Sequence, residues 1–362
     1  MYSTKIDEVI QNFDFKGDLR SYDKYGSGHI NDTYLVRFTG GNYILQRINH
    51  EIFKVPEQLQ ENIALVTEFI GDKIEAQGGD RYRQTLTLVK TISGENFYRD
   101  SLGLYWRAYI FIDDAVSYNL VKNPDDFYQS ALAFGNFQYQ LSDFPVEKLH
   151  YTIPKFHHTP TRFDSFIKAV EADKKDRVKL VQDEINFILE RKAFTNLLWD
   201  YHEEGKLPLR VTHNDTKLNN VLIDARTGEG LCVVDLDTVM PGFTLDDFGD
   251  SIRFGATTGA EDERDLSKVN FDLELYSVYV KGYLEGCQGT LTDLEIELFP
   301  EGAKMMTLEC GIRFLMDYLE GDTYFKIAYD DHNLVRARTQ FKLVADMEEN
   351  WDAMKDVVNE YL

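Results

Sequence analysis

Apolar and polar positions alternate through the first third of the chain and then recur at helical steps. Thr33-Tyr34-Leu35-Val36-Arg37-Phe38 and Tyr43-Ile44-Leu45-Gln46-Arg47-Ile48 are rich in β-branched and aromatic residues and flank Thr39-Gly40-Gly41-Asn42, which predicts a hairpin. Leu59, Ile63, Val66, Ile70 and Ile74 then step by four, three, four and four, the spacing of one helical face. Strand-like runs return at residues 85–91 and 106–112. From Pro124 onward helices dominate. Phe127, Ala131, Phe134 and Leu141 fall near one face, and Leu308, Ile312, Leu315 and Leu319 form another. Val181, Ile185, Ile188 and the Leu197-Leu198 pair line a third, with stop signals at Gly205 and Pro208. Residues 335–362 predict one long terminal helix. These stripes read as core-facing surfaces. The pattern predicts an α+β protein: a small antiparallel β-sheet N-lobe with one main helix over residues 1–112, and a larger, mostly helical C-lobe over residues 113–362.

Composition narrows what such a protein can bind. With 362 residues the chain is long enough for two lobes, and 43% apolar content fills a sizeable core. A net charge of −23 disfavours nucleic acid and anionic membrane surfaces, because neither meets a matching positive field. Cys232, Cys287 and Cys310 are too scattered for a CxxC site or a disulfide framework. The N-terminal residues carry acids where a signal peptide needs a basic and then an apolar stretch, and no apolar run reaches the length of a membrane span. A cytoplasmic protein is expected, with no oligomeric state set and a monomer compatible.

One segment breaks the helical background: Val211-Thr212-His213-Asn214-Asp215-Thr216-Lys217-Leu218-Asn219-Asn220, continuing to Val233-Val234-Asp235-Leu236-Asp237. It reads as a short strand, a polar loop and a hairpin turning at Thr227-Gly228-Glu229-Gly230. A kinase catalytic loop places Asp, Lys and Asn at this spacing, the Asp taking the substrate hydroxyl proton and the Asn holding Mg²⁺. Asp215, Lys217 and Asn220 match it, and Asp235, 20 residues past Asp215, falls where a second metal ligand follows the hairpin. Hard cations prefer such oxygen ligands. Asp247-Phe248-Gly249 has the letters of a kinase metal triplet but lies 32 residues past Asp215, beyond the strand end at Asp235, and is read as a decoy. Asp237 stays open as an outer or second-ion ligand. Tyr25-Gly26-Ser27-Gly28-His29-Ile30-Asn31 precedes the first hairpin, where glycines let backbone N–H groups approach phosphates. The following strand lacks a lysine and offers Gln46 and Arg47 on opposite faces, with the choice between them open. The nucleotide-side candidates are Gly26, Gly28, Asn31, Gln46 and Phe111, the last within the 110–113 stretch expected near adenine.

The runs from Gly26 to Tyr34 and from Tyr43 to Gln46 resemble the N-acetylhexosamine 1-kinase family. So do Val116-Ser117-Tyr118-Asn119-Leu120, Phe156-His157-His158-Thr159-Pro160, Thr212 to Asn220, Asp247 to Gly255 and Cys310-Gly311-Ile312-Arg313-Phe314. The catalytic loop is shared more widely with the aminoglycoside phosphotransferase and choline kinase-like superfamily. The resemblance implies a two-lobed protein-kinase-like fold, ATP as co-substrate, Mg²⁺ as cofactor, and phosphorylation of the anomeric hydroxyl of N-acetylglucosamine or N-acetylgalactosamine. It implies Asp215 as base, Asn220 and Asp235 as metal ligands, and His29, Asp215, Phe254, Arg313 and Tyr324 as sugar contacts. Arg313 can alternatively pair with Glu309 or Asp317, and Phe254 and Tyr324 can simply fill core. The rival function is a kinase of the same fold acting on another hexose, choline, homoserine or an aminoglycoside. A catalytically dead nucleotide-binding protein is the third reading, which the intact Asp215, Lys217, Asn220 and Asp235 set argues against.

Overall fold

The computed structural model describes residues 6–26 and 30–362, and within them the chain forms two compact units. The first comprises Met1–Ser117, Asp143–Pro154 and Val221–Pro241; the second comprises Tyr118–Ser142, Lys155–Asn220 and Gly242–Leu362.

The first unit is built on five antiparallel strands, β1 (Leu19–Lys24), β2 (Asp32–Phe38), β3 (Gly41–Arg47), β4 (Tyr98–Arg99) and β5 (Tyr105–Ile110), in the order β1-β2-β3-β5-β4. The predicted hairpin is β2–β3, paired from Asp32↔Arg47 to Phe38↔Gly41. Its tight end needs Gly40, where a Cβ would lie 2.4 Å from the Lys16 carbonyl oxygen. Strand alternation sends Tyr34, Val36, Tyr43, Leu45, Trp106 and Ala108 to one face, where they form a core with Ile6, Val9 and Phe13. The opposite face carries a polar row, Thr33, Gln46 and Arg107, set side by side by the β2–β3 and β3–β5 registers. The helix Pro56–Ala76 starts on its proline and buries Leu59, Ile63, Val66, Ile70 and Ile74. Its buried Asn62 fastens both returning segments. The Asn62 amide donates to the carbonyls of His150 (2.9 Å) and Val239 (3.0 Å) and accepts from the His150 N–H (2.8 Å). A three-stranded sheet of Ala115–Val116, Val221–Asp224 and Gly230–Val233 completes the unit.

The second unit is helical. Its core joins Phe163, Phe166, Ile185 and Ile188 to Leu308, Ile312, Leu315 and Leu319 of the helix Phe299–Glu320 and to Ala337, Phe341 and Val344 of the helix His332–Glu349. The helix Pro124–Gln140 is capped by Asn123, whose side chain accepts from the Asp126 N–H at 3.0 Å.

Three predicted elements differ. Residues 85–91 make only two rungs on β5, Val89 N–H to Ala108 O (2.8 Å) and Ile110 N–H to Thr87 O (2.9 Å), because their ends turn to pair with the 12–14 and 95 backbone. The stripe from Val181 to Leu198 is not one helix but Gln182–Leu189, a 3₁₀ turn Lys192–Asn196 and Leu197–Glu203; the Thr195 hydroxyl bonds the Lys192 carbonyl and tightens the turn. The terminal helix breaks into His332–Glu349 and Trp351–Asn359 at Asn350, whose side-chain amide also takes the Asp346 carbonyl (2.8 Å).

Candidate active site

The strand Arg210–Thr212 delivers the chain into the polar loop, and a 3₁₀ turn Leu218–Asn220 ends it. Asn214 sits at φ +63°, a conformation a non-glycine residue keeps only when its surroundings hold it. They do. Asp247, on the helix Thr244–Gly255, accepts the backbone N–H of His213 (2.8 Å) and of Asn214 (2.7 Å), and Gln138 Nε2 steadies the same carboxylate at 3.1 Å. The fully buried His213 ring lies edge-on to Phe134 and Phe137, and its Nδ1 accepts from the Asp215 N–H at 3.2 Å. Asp250, one helical turn beyond Asp247, takes the Thr216 N–H at 3.1 Å, and Ser251 Oγ donates to the Thr216 carbonyl at 2.8 Å. On the far side of the loop, His157 Nε2 reaches the Asn214 carbonyl at 3.3 Å, while its Nδ1 faces Glu309 Oε1 at 2.8 Å.

On this scaffold the three predicted loop residues meet. Lys217 Nζ lies 2.6 Å from Asp215 Oδ1, and Asn220 Nδ2 donates to the Asp215 carbonyl (2.8 Å) and to its Oδ2 (3.2 Å). Burial acts to lower the Lys217 pKa, but the Asp215 and Asp250 carboxylates outweigh it and hold the ammonium charged. Burial would raise Asp250, yet Arg253 and Lys217 pull it below its ordinary value. The loop thus presents an oriented carboxylate beside a fixed cation and an amide.

Asp247-Phe248-Gly249 is bound up in packing. Asp247 is spent on the loop backbone. Phe248 stacks on Phe299 with centroids 4.0 Å apart, and Gly249 faces the helix Phe299–Glu320 so closely that a Cβ would come 2.3 Å from the Gly302 carbonyl oxygen.

In the first unit, Asp235 follows the strand Gly230–Val233, is exposed, and has φ +61°. Both Asp237 oxygens are occupied within that unit: Oδ1 pairs with the Arg107 guanidinium and Oδ2 accepts from Asn31 Nδ2 at 2.6 Å. Asn31 Oδ1 accepts the Asn49 N–H at 3.0 Å. Gln46 shares the polar face with Arg107, accepting its Nε–H at 2.9 Å, whereas Arg47 on the other face pairs with Asp32 at 2.7 Å. Gly26 has φ +75° with open space around it, and the Phe111 ring stands edge-on to Tyr25, centroids 5.8 Å apart. Gly28 and His29 lie outside the described residues.

Of the remaining substrate-side candidates, Arg313 and Tyr324 are neighbours and Phe254 is elsewhere in the second unit. The Arg313 guanidinium is 5.5 Å from the Phe156 and Phe325 ring centroids and 6.0 Å from that of Tyr324, which is 68% exposed. Neither alternative partner is left for Arg313 alone: Glu309 holds His157 and Thr159, and Asp317 caps the N–H groups of Thr323, Tyr324 and Phe325. Phe254 lines a small, mostly apolar cavity with Arg253, Glu261, Gln340 and Leu343.

Among the described residues no group of three or more His, Cys, Asp or Glu is placed to hold a metal ion. Mg²⁺ in phosphoryl transfer needs no such cage, because one or two protein oxygens and the phosphates suffice. The donors present fit that demand. In the second unit the Asn220 amide nitrogen is turned to Asp215, so its oxygen is the atom that unit offers to a cation, and in the first unit Asp235 presents an exposed carboxylate. Asp237 is buried, with Arg107 at one oxygen and Asn31 at the other. The sequence reasoning missed His157, Glu309 and Asp250 as supports of the loop in the second unit, and Arg107 as the partner of Asp237 in the first. Only Arg107 left a local signal, a lone cation within the apolar run Tyr105 to Ile110.

A model of the phosphotransferase enzyme family (APH) matches residues 22–277, more than two thirds of the chain. Solved structures of similar fold include an aminoglycoside phosphotransferase from Alicyclobacillus acidocaldarius, with a TM-score of 0.64 at 11% identity over 99% of this chain and 98% of that one. A spectinomycin phosphotransferase in complex with ADP and spectinomycin has a TM-score of 0.52 at 13% identity, covering 93% and 94%. A choline kinase from Cryptosporidium parvum has a TM-score of 0.54 at 15% identity, covering 94% and 92%.

Proposed function

Because the chain belongs to the APH phosphotransferase enzyme family, we propose that it is an ATP- and Mg²⁺-dependent kinase that phosphorylates the anomeric C1 hydroxyl of an N-acetylhexosamine, giving the sugar 1-phosphate. The observation that carries the reaction type is Asp215, oriented by Asn220 Nδ2 and Lys217 Nζ on a loop whose backbone is pinned by Asp247 and Asp250. In this reading Asp215 takes the proton of the sugar hydroxyl as its oxygen attacks the γ-phosphorus, and ADP leaves. Lys217, 2.6 Å from Asp215 Oδ1, fixes that carboxylate and steadies the moving phosphoryl group. Asn220 and Asp235 would hold Mg²⁺, which when bound neutralises the phosphate oxygens. Use of ATP is supported by the ADP named for the spectinomycin phosphotransferase of similar fold.

The sugar assignment rests on the resemblance and on Arg313 set among Phe156, Tyr324 and Phe325, a donor fork beside ring faces suited to the apolar face of a hexose. The same cluster argues against choline. A quaternary ammonium would have to sit beside the Arg313 guanidinium that these rings already flank, and the two cations repel. Among other small alcohols, a different hexose is the second reading this cluster supports.

The test is an ADP-release screen over N-acetylhexosamines, other hexoses, choline and aminoglycosides, with ³¹P NMR of the product, run on the wild type and on Asp215→Asn. N-acetylhexosamines are expected to turn over fastest and to give an anomeric phosphate, and Asp215→Asn to lose on the order of 10²-fold or more in kcat while staying folded. Faster turnover of choline or an aminoglycoside would remove the sugar; an Asp215→Asn enzyme of near wild-type rate would remove the base.

A further inference from the structure

Arg107 is among the largest side chains that the fold buries completely, at 1% exposure. Burying a guanidinium and a carboxylate together is poorly repaid in stability, and apolar residues of like volume commonly do as well or better. Its partners show what the group is arranged around. Arg107 Nε donates to Gln46 Oε1 at 2.9 Å, and Gln46 Nε2 in turn donates to Thr33 Oγ1 at 3.0 Å, so the polar row across β2, β3 and β5 fixes the guanidinium. The guanidinium pairs with Asp237, whose other oxygen accepts from Asn31, the residue before β2. Burial would lower the Arg107 pKa, and Asp237 overrides it, so the cation is permanent. Asp237 belongs to the 3₁₀ turn Leu236–Thr238, which begins on Asp235 in its left-handed conformation. A kinase normally carries a lysine on the strand that here offers Gln46.

We propose that Arg107 is a positioning residue that acts from β5 in place of the absent β3 lysine: by clamping Asp237 it holds the Leu236–Thr238 turn, and hence the Asp235 carboxylate, in the conformation that takes a divalent cation, and through Asn31 that turn is tied to the start of β2. The inference rests on the reading above that Asp235 is a metal ligand. Asp237 is then not a second metal ligand but the handle by which the first is held. Outer groups that orient a ligand commonly carry 10–100-fold of metal affinity, which sets the size of the expected effect.

The test separates holding from folding. Arg107→Met alone leaves a buried carboxylate unpaired and is expected to unfold easily. The double variant Arg107→Met/Asp237→Asn removes both charges and is expected to recover a near wild-type melting temperature. Binding of ADP, followed by calorimetry as Mg²⁺ is titrated, is the readout. The double variant is expected to need on the order of tenfold more Mg²⁺ for half-maximal ADP affinity, and to lose kcat with an unchanged KM for the acceptor. Arg107→Lys, measured beside it, keeps the charge without the planar fork that Gln46 and Asp237 both use, and is expected to give a Mg²⁺ half-point between wild type and the double variant, with a lowered melting temperature. A Mg²⁺ half-point at the wild-type value in either folded variant overturns the inference and leaves the pair as packing. Wild-type protein that binds ADP with no Mg²⁺ dependence, or Asp235→Asn that leaves that dependence intact, overturns the metal reading itself and the inference with it.

Discussion

Substitution of Asp247 by alanine separates the aspartate read as a decoy from Asp235, the one read as a metal ligand. Asp247 is 2% exposed, and its carboxylate satisfies the N–H groups of His213 and Asn214. Removing it leaves two buried backbone donors without a partner, at about 1–3 kcal/mol each, or about 2–6 kcal/mol together. Gln138 keeps the Val211 carbonyl at 3.0 Å and adds little to that cost. Burial pushes the Asp247 pKa up, so its ionised form is itself disfavoured and the substitution relieves part of the penalty. A loss of about 2–4 kcal/mol follows, a large part of the roughly 5–15 kcal/mol that holds a domain together. Exposed Asp235 makes the opposite case. Asp235→Ala puts alanine at φ +61° and is expected to cost about 1 kcal/mol, well short of the Asp247 loss, while abolishing Mg²⁺-dependent nucleotide binding. Urea denaturation with equal m-values, paired with Mg²⁺-dependent ADP binding, measures both. If Asp247→Ala kept the wild-type urea midpoint and lost the Mg²⁺ dependence, the triplet Asp247-Phe248-Gly249 would be the metal site and Asp235 would not.

Two further substitutions probe the supports of the loop. Burial alone would lower the His157 pKa, but Glu309 outweighs it and raises it above 6.5; burial would raise Glu309, but His157 pulls it below 4.5. The raised histidine contributes fully below pH 6.5 and is lost as pH climbs through its folded value, and the lowered glutamate contributes fully above pH 4.5 and is lost as pH falls. The gap in unfolding midpoint between wild type and His157→Gln should therefore be widest between those values and shrink at higher pH; a gap flat across pH would refute the ion pair. The difference is needed because buried Asp246, pushed up to about 7, titrates in the same direction. Gly249→Ala should lower stability by about 1–3 kcal/mol, since its Cβ would meet the Gly302 carbonyl oxygen at 2.3 Å; an unchanged melting temperature would contradict that close approach.

What the sequence made legible was local. The hairpin β2–β3 and the helix Pro56–Ala76 follow from periodicity and turn chemistry within about twenty residues, and the structure has both. The Asp215, Lys217 and Asn220 cluster was legible because a short polar loop fixes all three at once. Helix continuity was less so. The breaks at residues 190–196 and at Asn350 come from side chains bonding back to the backbone, which the apolar stripe does not register. What stayed hidden depends on distant residues. That segments 143–154 and 221–241 join the first unit is set by Asn62 bonding His150 and Val239. Glu309 meets His157 across 152 positions, and Asp247 meets the loop across 33 and 34. No spacing rule reaches that far. The letters of the D-F-G triplet were misleading for the same reason, since the roles of its three residues are assigned by contacts to other elements.

The net charge of −23 looks at odds with a nucleotide polyphosphate, and the pairing of the cations resolves it. Arg107 is matched by Asp237, Lys217 by Asp215, and Arg253 by Asp250 and Glu261. None of these three cations brings an uncompensated positive charge to a phosphate. In the proposed reading the charge of the nucleotide is therefore met by Mg²⁺, and without the metal the net acidity of the chain would oppose its binding. Burying Asp237 under Arg107 follows the same logic. It removes one exposed carboxylate from the turn that must accept phosphate-bound metal, while keeping that carboxylate's hydrogen bonds to hold the turn in place. On the proposed reading an acidic chain binds the polyanion as a metal complex, and the Mg²⁺ half-point for ADP binding is expected to move when the Arg107–Asp237 pair is removed.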